Sequence, residues 1–221
     1  MTILLSAFEP FGGEKINPTQ IILQKLPDTL EGITLIKVNV PVEFDTCTET
    51  VMSAVRRETP DAVILLGQAG GRDAVTPERI GINVDDARIA DNAGKCPKDI
   101  PIDPEGPAAY FSTLPVREIV EAIAEKGIPA RISNSAGTYV CNHLMYSVLH
   151  SFAKEGRSIP CGFIHVPYLI EQVRDKEGVY GMALAKMSEA VKTAVLTVAK
   201  NFQKKSTQVL TVLKVGCITE L

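Results

Sequence analysis

Residues 62–66 read Ala-Val-Ile-Leu-Leu and lead directly into the glycine-rich stretch Gly67-Gln-Ala-Gly-Gly-Arg72. The five residues are apolar throughout, with no alternation between apolar and polar positions. A run of this kind is typical of a central parallel strand, because helices cover both faces of such a sheet. The segment therefore predicts an α/β protein whose sheet is buried on both sides.

Further strand and helix patterns alternate along the chain. Apolar runs predict strands at residues 3–8, 33–40, 128–133 and 161–166, and alternation predicts a half-buried arm at residues 80–84. Helices are expected at residues 44–57 and 182–202, and others begin near Asn17-Pro18, Pro115 and Cys141. This order favours a three-layer αβα sandwich with a mostly parallel twisted sheet. Because no repeat or linker is visible, we expect residues 1–221 to form a single α/β domain, with residues 203–221 as a C-terminal tail.

Composition and charge exclude several classes of function. The net charge of -3 provides no basic surface for nucleic acid and no polybasic anchor for a membrane. No apolar run approaches the ~18 residues of a membrane span, and residues 1–6 resemble a first strand more than a signal peptide. The five cysteines are scattered without a C-x-x-C pair, which argues against a disulfide framework and a zinc site. We expect no metal, no cofactor and a cytoplasmic location.

The segment Ser135-Ala-Gly-Thr-Tyr-Val-Cys-Asn-His143 places a cysteine at the start of a helix. Leu144, Val148 and Phe152 recur every four residues after it, and the predicted strand at residues 128–133 precedes it. Free amide groups and the helix dipole both favour a thiolate at such a position. They can lower a cysteine pKa from about 8.5 to roughly 3.5–7.5. Cys141 is therefore a candidate nucleophile, although a free cysteine is more often a small buried apolar residue.

Only three histidines are available to serve Cys141 as a base. His143 and His150 follow it on the same predicted helix at spacings that point their side chains away from the sulfur. His165 lies near the end of the predicted strand at residues 161–166. Parallel strands end at a common sheet edge, which is where α/β proteins form their binding sites. His165 is therefore the candidate partner, with a hydrogen-bonded core histidine as the simpler alternative.

A cysteine–histidine pair usually needs a carboxylate to orient the imidazole. Five acidic residues follow the glycine-rich loop: Asp73, Glu78, Asp85, Asp86 and Asp91. Composition and spacing do not choose among them.

Four segments of the sequence together resemble the pyroglutamyl peptidase type I family, also called pyrrolidone-carboxylate peptidases. Ser133-Asn-Ser-Ala-Gly-Thr-Tyr-Val-Cys-Asn142 is similar to that family's cysteine signature. The glycine-rich loop, Pro77-Glu-Arg79 and Asn83-Val-Asp-Asp-Ala-Arg-Ile89 resemble its glutamate signature. Phe8-Glu-Pro-Phe-Gly-Gly13 and Phe163-Ile-His-Val-Pro167 match its opening and histidine segments. The matches run in order to about residue 200.

The resemblance implies a cysteine exopeptidase that removes N-terminal pyroglutamate from peptides through a thioester. It assigns Cys141 as nucleophile, His165 as base and acid, Glu78 as orienting carboxylate and Arg88 as an oxyanion-site residue. It also implies a substrate pocket at Phe8, Phe11, Gln68, Ile89, Tyr139 and Val140, and a homo-oligomer, either dimer or tetramer. Gly81 and Ala90 depart from the family pattern, where we expect alanine and proline; this should change local stiffness more than chemistry.

Two other functions compete with this interpretation. A glutaminase-like amidohydrolase also uses cysteine, histidine and glutamate, but usually keeps its histidine and glutamate close in sequence, unlike Glu78 and His165. A nucleotide- or phosphate-binding module is suggested by the loops at Gly12-Gly13 and Gly67 to Gly71. Neither loop contains G-x-x-x-x-G-K-[ST] or G-x-G-x-x-G, so that signal is weak.

Overall fold

The computed structural model describes the backbone of residues 1–216 and the side chains of residues 1–204. Its strands are β1 Thr2–Phe8, β2 Thr29–Leu30, β3 Ile33–Val40, β4 Ala62–Gln68, β5 Thr76–Pro77, β6 Ile80–Ile82, β7 Ala109–Phe111, β8 Cys161–Val166, β9 Tyr168–Leu169 and β10 Gly181–Met182. Its α-helices are α1 Pro18–Lys25, α2 Cys47–Glu58, α3 Val116–Glu125, α4 Val140–Lys154 and α5 Leu184–Gly216. Within the described backbone, no helix is both long and apolar enough to cross a membrane.

The main sheet has six strands in the order β2-β3-β1-β4-β8-β5. The four long strands β3, β1, β4 and β8 run parallel, and the short edge strands β2 and β5 are antiparallel to their neighbours. Strand β4 is buried at every position and lies between β1 and β8. The prediction of a central, doubly covered parallel strand is therefore confirmed.

Alternate strand residues contribute to two hydrophobic cores, one on each side of the sheet. On one side, Leu66 and Ile164 pack with the buried faces of α1, α3 and α5. On the other, Leu65 and Phe163 pack with α2 and α4. Helices on both faces of a mostly parallel sheet make the predicted three-layer αβα sandwich. The parity of β8 also puts His165 on the side of Phe163, and hence on the side of α4.

The predicted arm is an antiparallel pair of strands, β6 and β7, outside the main sheet. It lies along α4, and a Cβ at Gly81 would come within 3.1 Å of the backbone nitrogen of Tyr146. Glycine at this position therefore lets the arm approach the helix closely, which gives the departure at Gly81 a structural reason.

Three sequence-based predictions of secondary structure are wrong. Helix α2 begins at Cys47, three residues after the predicted start at Phe44. Residues 128–133 form no strand but an extended segment with isolated bridges to Val75 and Glu78, because Pro77, which lies between those two residues, has no amide hydrogen to continue the ladder. Helix α5 does not end at Phe202 but continues to Gly216, since no glycine or proline lies between them. The predicted docking of the tail from Gln208 to Leu221 concerns side chains outside the described residues.

Candidate active site

Cys141 lies in the first turn of α4, beside the ends of β4 and β8. Strands β4 and β8 pair Gly67 with His165, and a Cβ on Gly67 would lie 3.2 Å from the Cys141 sulfur. The absence of a side chain at Gly67 thus leaves space for the sulfur over the strand pair that carries the imidazole. This places the predicted nucleophile and base at one sheet edge and on one face.

His165 is bound to Glu78 through a buried hydrogen bond of 2.7 Å between Nδ1 and Oε1. His165 is 3% exposed and Glu78 is 0% exposed. Glu78 directly follows β5, and the pairing of Thr76 and Pro77 with His165 and Ile164 brings its carboxylate beside the imidazole. An ionised carboxylate only accepts hydrogen bonds, so Nδ1 carries the proton and Nε2 of the neutral imidazole can accept one.

The other four candidate carboxylates are engaged elsewhere. Asp85 accepts from His143 at 2.8 Å, and Asp73 forms an exposed ion pair with Arg131. Asp86 is exposed and lies 3.9 Å from Lys98, while Asp91 accepts backbone amides, including that of Phe44. The geometry therefore selects Glu78, the choice that spacing left open. Among the described side chains, no cluster of three or more His, Cys, Asp or Glu residues is arranged to hold a metal ion.

Burial and neighbouring charges shift the pKa values of Glu78 and His165 in opposite directions. Burial by itself would raise the pKa of Glu78, but the hydrogen bond and charge of His165, with the Ser133 hydroxyl and the Arg72 guanidinium, hold that pKa below its usual value of 4.5. Burial lowers the pKa of His165 below 6.5, against the opposing influence of Glu78. At neutral pH the pair is therefore a carboxylate and a neutral imidazole, which can act as a base.

The expectation of a lowered pKa for Cys141 is wrong. Burial, with the charge of Glu78 and the proximity of Cys47, raises the pKa of Cys141 to about 12, while Arg72 and a backbone hydrogen bond act in the opposite direction. Desolvation therefore outweighs both the guanidinium and the backbone hydrogen bond at this position. Cys141 is thus a neutral thiol at rest, and its proton must be removed as the sulfur attacks.

The segment from Ile82 to Ala90 lies across the N-terminal end of α4. Asn142, fully buried, bonds the backbone of Ile82 through both side-chain atoms and also donates to the Val84 carbonyl at 3.0 Å. Thr138 exchanges two hydrogen bonds with the backbone of Asp86. Among the described residues no side chain caps the first turn of α4. Its amide groups therefore remain available to an anion at the Cys141 end.

Arg88 lies in this segment, two residues beyond Asp86. Its side chain is exposed, and no hydrogen bond or ion pair joins it to the described side chains. The Tyr139 hydroxyl donates to the Ala90 carbonyl at 3.0 Å and closes the segment against α4 on the far side of Arg88. Arg88 therefore lies in the segment beside the start of α4, and its guanidinium is free to bind a substrate group.

The residues of the predicted pocket fall into two groups. Phe11, Tyr139 and Ile89 are half-buried near the loop after β1: the Phe11 and Tyr139 rings lie 5.9 Å apart, and a Cβ at Gly12 would lie 3.3 Å from Ile89. Phe8 and Val140 are buried in the core beside them, at 2% and 0% exposure. Gln68, the last residue of β4, is 6% exposed, and its buried Oε1 has no hydrogen-bond partner within the described part of the chain.

Two residues of the site were not singled out from the sequence. Phe44 packs edge-on against Tyr139, with ring centroids 5.6 Å apart, and so extends the aromatic cluster. Arg72 bonds Glu78 Oε1 directly. Phe44 gave no signal beyond helix hydrophobicity, whereas Arg72 closes the glycine-rich loop and could have been noticed as a cation six residues before the glutamate.

Comparison with known proteins agrees with these motifs. The family model described as Pyroglutamyl peptidase matches residues 1–201 of the chain. The chain belongs to the pyroglutamyl peptidase family. It is 52% identical over 200 residues to pyrrolidone-carboxylate peptidase 1 of Caldanaerobacter subterraneus subsp. tengcongensis, a match that covers 90% of this chain and 98% of that one.

Solved structures of the family show the same fold. Pyroglutamyl peptidase I from Bacillus amyloliquefaciens is 40% identical with a TM-score of 0.87, covering 90% of this chain and 94% of that one. A mutant pyrrolidone carboxyl peptidase from the hyperthermophile Pyrococcus furiosus is 43% identical with a TM-score of 0.87, covering 91% of this chain and 99% of that one. As a family member the chain is a cysteine peptidase that removes N-terminal pyroglutamate, and the glutaminase and phosphate-binding alternatives are set aside.

Proposed function

We propose that Cys141, His165 and Glu78 carry out this hydrolysis as a nucleophile, a proton shuttle and an orienting carboxylate. The observation that carries the proposal is the 2.7 Å bond between His165 and Glu78, on the strand pair that borders the Cys141 sulfur. That bond presents the basic nitrogen of a neutral imidazole, which the neutral thiol of Cys141 requires.

In the proposed reaction, His165 removes the thiol proton while the sulfur attacks the carbonyl carbon of the pyroglutamyl residue. The oxyanion is held by the uncapped amides of α4, with Arg88 adding positive charge. The imidazolium then protonates the leaving amine, the C–N bond breaks and a thioester remains on Cys141. Water, activated by His165, hydrolyses the thioester and releases pyroglutamate.

The pocket proposal rests on matching a small, uncharged lactam ring to its surroundings. Phe11, Tyr139 and Ile89 supply apolar contact, and Phe8 and Val140 are buried in the hydrophobic cluster against which Phe11 and Tyr139 pack. The lactam has one N–H donor, and the unpartnered Oε1 of Gln68 is a buried acceptor beside the strand residue that borders the sulfur. None of the proposed pocket residues is a carboxylate that could pair with a free N-terminal ammonium, which favours pyroglutamate over an ordinary N-terminus.

Two broader features complete the proposal. The nucleophile requires a free thiol, and the four described cysteines, Cys47, Cys96, Cys141 and Cys161, are all free, which supports a reducing cytoplasmic location. We also propose a homo-oligomer, a dimer or tetramer, which sedimentation equilibrium would count directly. Peptides with an N-terminal pyroglutamate are the proposed partners, without nucleic acid or membrane.

The test is hydrolysis of pyroglutamyl, prolyl and glutaminyl anilides by the fully reduced protein. We expect turnover of the pyroglutamyl reporter, loss of it in Cys141→Ser and His165→Gln, and retention in the matched variants Cys96→Ser and His150→Gln. Cys96 is exposed, and His150 bonds Tyr110 away from the sulfur, so neither change touches the site. Preference for the glutaminyl anilide, or equal activity of Cys141→Ser, contradicts the proposal.

A further inference from the structure

Arg72 occupies a position where three parts of the site meet. Its side chain is 24% exposed and lies in the loop that follows β4. Nη1 bonds both Glu78 Oε1 and the Thr76 hydroxyl, and Nη2 donates to the Ser135 carbonyl at 3.1 Å. The guanidinium therefore joins β5, which carries the carboxylate, to the loop that leads into the nucleophile helix.

Arg72 and His165 both donate hydrogen bonds to the same oxygen of Glu78. Oε1 of Glu78 accepts from both the guanidinium and the imidazole Nδ1, and the glutamate is fully buried. A buried carboxylate is unfavourable unless it is paired and hydrogen-bonded, and Arg72 supplies both a positive charge and a hydrogen bond to Oε1. By contrast, the adjacent Asp73–Arg131 ion pair is more than half exposed on both side chains, where such pairs contribute little.

We propose that Arg72 is a positioning residue for the reaction: it fixes the orientation of Glu78 and balances its charge while the proton passes from Cys141 to His165. This inference rests on the roles proposed above for those three residues. With Arg72 in place, the site that contains a thiolate, an imidazolium and a carboxylate has no net charge. Without Arg72 the same arrangement has a charge of minus one in a desolvated space.

Arg72 lowers the pKa of both groups between which the proton passes. At Cys141, burial dominates, Glu78 and Cys47 also raise the pKa, and Arg72 lowers it. At His165, burial lowers the pKa, Glu78 raises it and Arg72 lowers it again. Removing the guanidinium should therefore raise the pKa of both groups, and ionisation of the thiol should move to higher pH. Arg72 forms its hydrogen bonds with Thr76, Glu78 and Ser135, none of which is a residue of the proposed pocket, so the loss should fall on kcat more than on KM.

The experiment compares Arg72→Gln and Arg72→Lys with the matched variant Arg131→Gln, which removes a nearby exposed cation. Alkylation of Cys141 by iodoacetamide is followed against pH by peptide mass spectrometry, and kcat/KM for the pyroglutamyl anilide is measured over the same range. In Arg72→Gln we expect both profiles to move upward by about one pH unit and kcat to fall at least about tenfold. Arg72→Lys should restore most of the profile, and Arg131→Gln should match the unmodified protein.

A double variant shows whether Arg72 acts through Glu78. In a Glu78→Gln background no carboxylate remains to be oriented or balanced, and only the direct influence of Arg72 on Cys141 and His165 is left, so adding Arg72→Gln should lower kcat by less than it does in the unmodified protein. If Arg72→Gln alone does not fold, the double variant and Arg72→Lys carry the test, because neither leaves an uncompensated buried carboxylate. Unchanged alkylation in Arg72→Gln, an equal shift in Arg131→Gln, or full additivity in the double variant overturns the inference. Because alkylation requires no peptide turnover, failure on pyroglutamyl reporters is a separate outcome that overturns the proposed function alone.

Discussion

Replacing Gly67 with alanine tests how closely the site is packed around the nucleophile. The new Cβ would lie 2.7 and 2.8 Å from two atoms of the Phe163 ring and 3.2 Å from the Cys141 sulfur. Phe163 is completely buried and packs against the His165 ring, with centroids 4.6 Å apart. Relief of the contact must therefore move the ring, the sulfur or both, and each movement disturbs the distance between sulfur and imidazole.

The expected effect has two measurable parts. Overpacking a closed core costs about 1–3 kcal/mol, which corresponds to about 2–4 °C in Tm for each kcal/mol in a chain of this size. A displacement of about 1 Å at the reacting atoms can cost about 100-fold in rate. We therefore expect Gly67→Ala to remain folded with a modestly lowered Tm and to lose about 100-fold in kcat/KM for a pyroglutamyl anilide.

Gly162→Ala is the matched control for Gly67→Ala. Gly162 lies on the same strand β8, at its other end and on the opposite face, and a Cβ there would overlap the Ser112 hydroxyl and lie 3.0 Å from Leu114. This variant should lose stability while it keeps kcat/KM within a fewfold. The reasoning is refuted if Gly67→Ala hydrolyses the reporter at the normal rate, or if Gly162→Ala loses as much activity at equal Tm.

Four further outcomes follow from the site. Glu78→Gln should lower kcat by about 10⁴-fold with little change in KM, because the amide no longer selects the productive tautomer of His165; a loss under tenfold contradicts the triad. The free energy of unfolding should fall as the pH decreases from 7, first below the ordinary pKa of 6.5 for His165 and then below 4.5 for Glu78, because the unfolded chain binds more protons at both groups. Urea titrations at pH 7 and pH 5 measure this decrease. An equal decrease in the His165→Gln variant would show that His165 is not its cause. Arg88→Ala should lower kcat/KM by about 10²-fold, and near-normal activity would remove Arg88 from the oxyanion site. Phe11→Ala should reduce the preference for pyroglutamyl over prolyl reporters by roughly tenfold, so an unchanged ratio argues against a pocket at Phe11.

The sequence predicted those parts of the fold that depend on continuous local patterns. Strand β4 and strand β8 are apolar at nearly every position, and burial on both faces follows directly from that pattern. The N-cap at Asn17 and the proline after it mark the start of α1 as expected, with Asn17 accepting from the Thr19 amide. Apolar periodicity and caps are properties of neighbouring residues, so a single sequence displays them.

The features that sequence reasoning missed depend on contacts between distant segments. Glu78 reaches His165 because a two-residue antiparallel strand, β5, adds to the sheet edge, and two residues are too few for a recognisable pattern. Arg72 bonds a residue six positions away and a carbonyl in the loop before α4, which no local rule indicates. The raised pKa of Cys141 likewise depends on burial and on Glu78, whereas the helix start alone suggested the opposite direction.

Helix geometry was sufficient to exclude His143 and His150 as partners of Cys141. His143 was set aside because it points away from Cys141, and it bonds Asp85, which thereby also ceases to be a candidate partner for His165. His150 bonds Tyr110 of the arm. Of the three histidines and five candidate carboxylates, only His165 and Glu78 therefore remain as a bonded pair beside the Cys141 sulfur.

The most direct test of the account is the identity of the acylated residue. A pyroglutamyl nitrophenyl ester has an activated leaving group, so the thioester should form faster than water removes it. Rapid acid quenching followed by peptide mapping should find one pyroglutamyl group on the Cys141 peptide of the unmodified protein, and none there in Cys141→Ser. Steady turnover with no label on Cys141, or label confined to exposed Cys96, would contradict the assignment of Cys141 as the nucleophile.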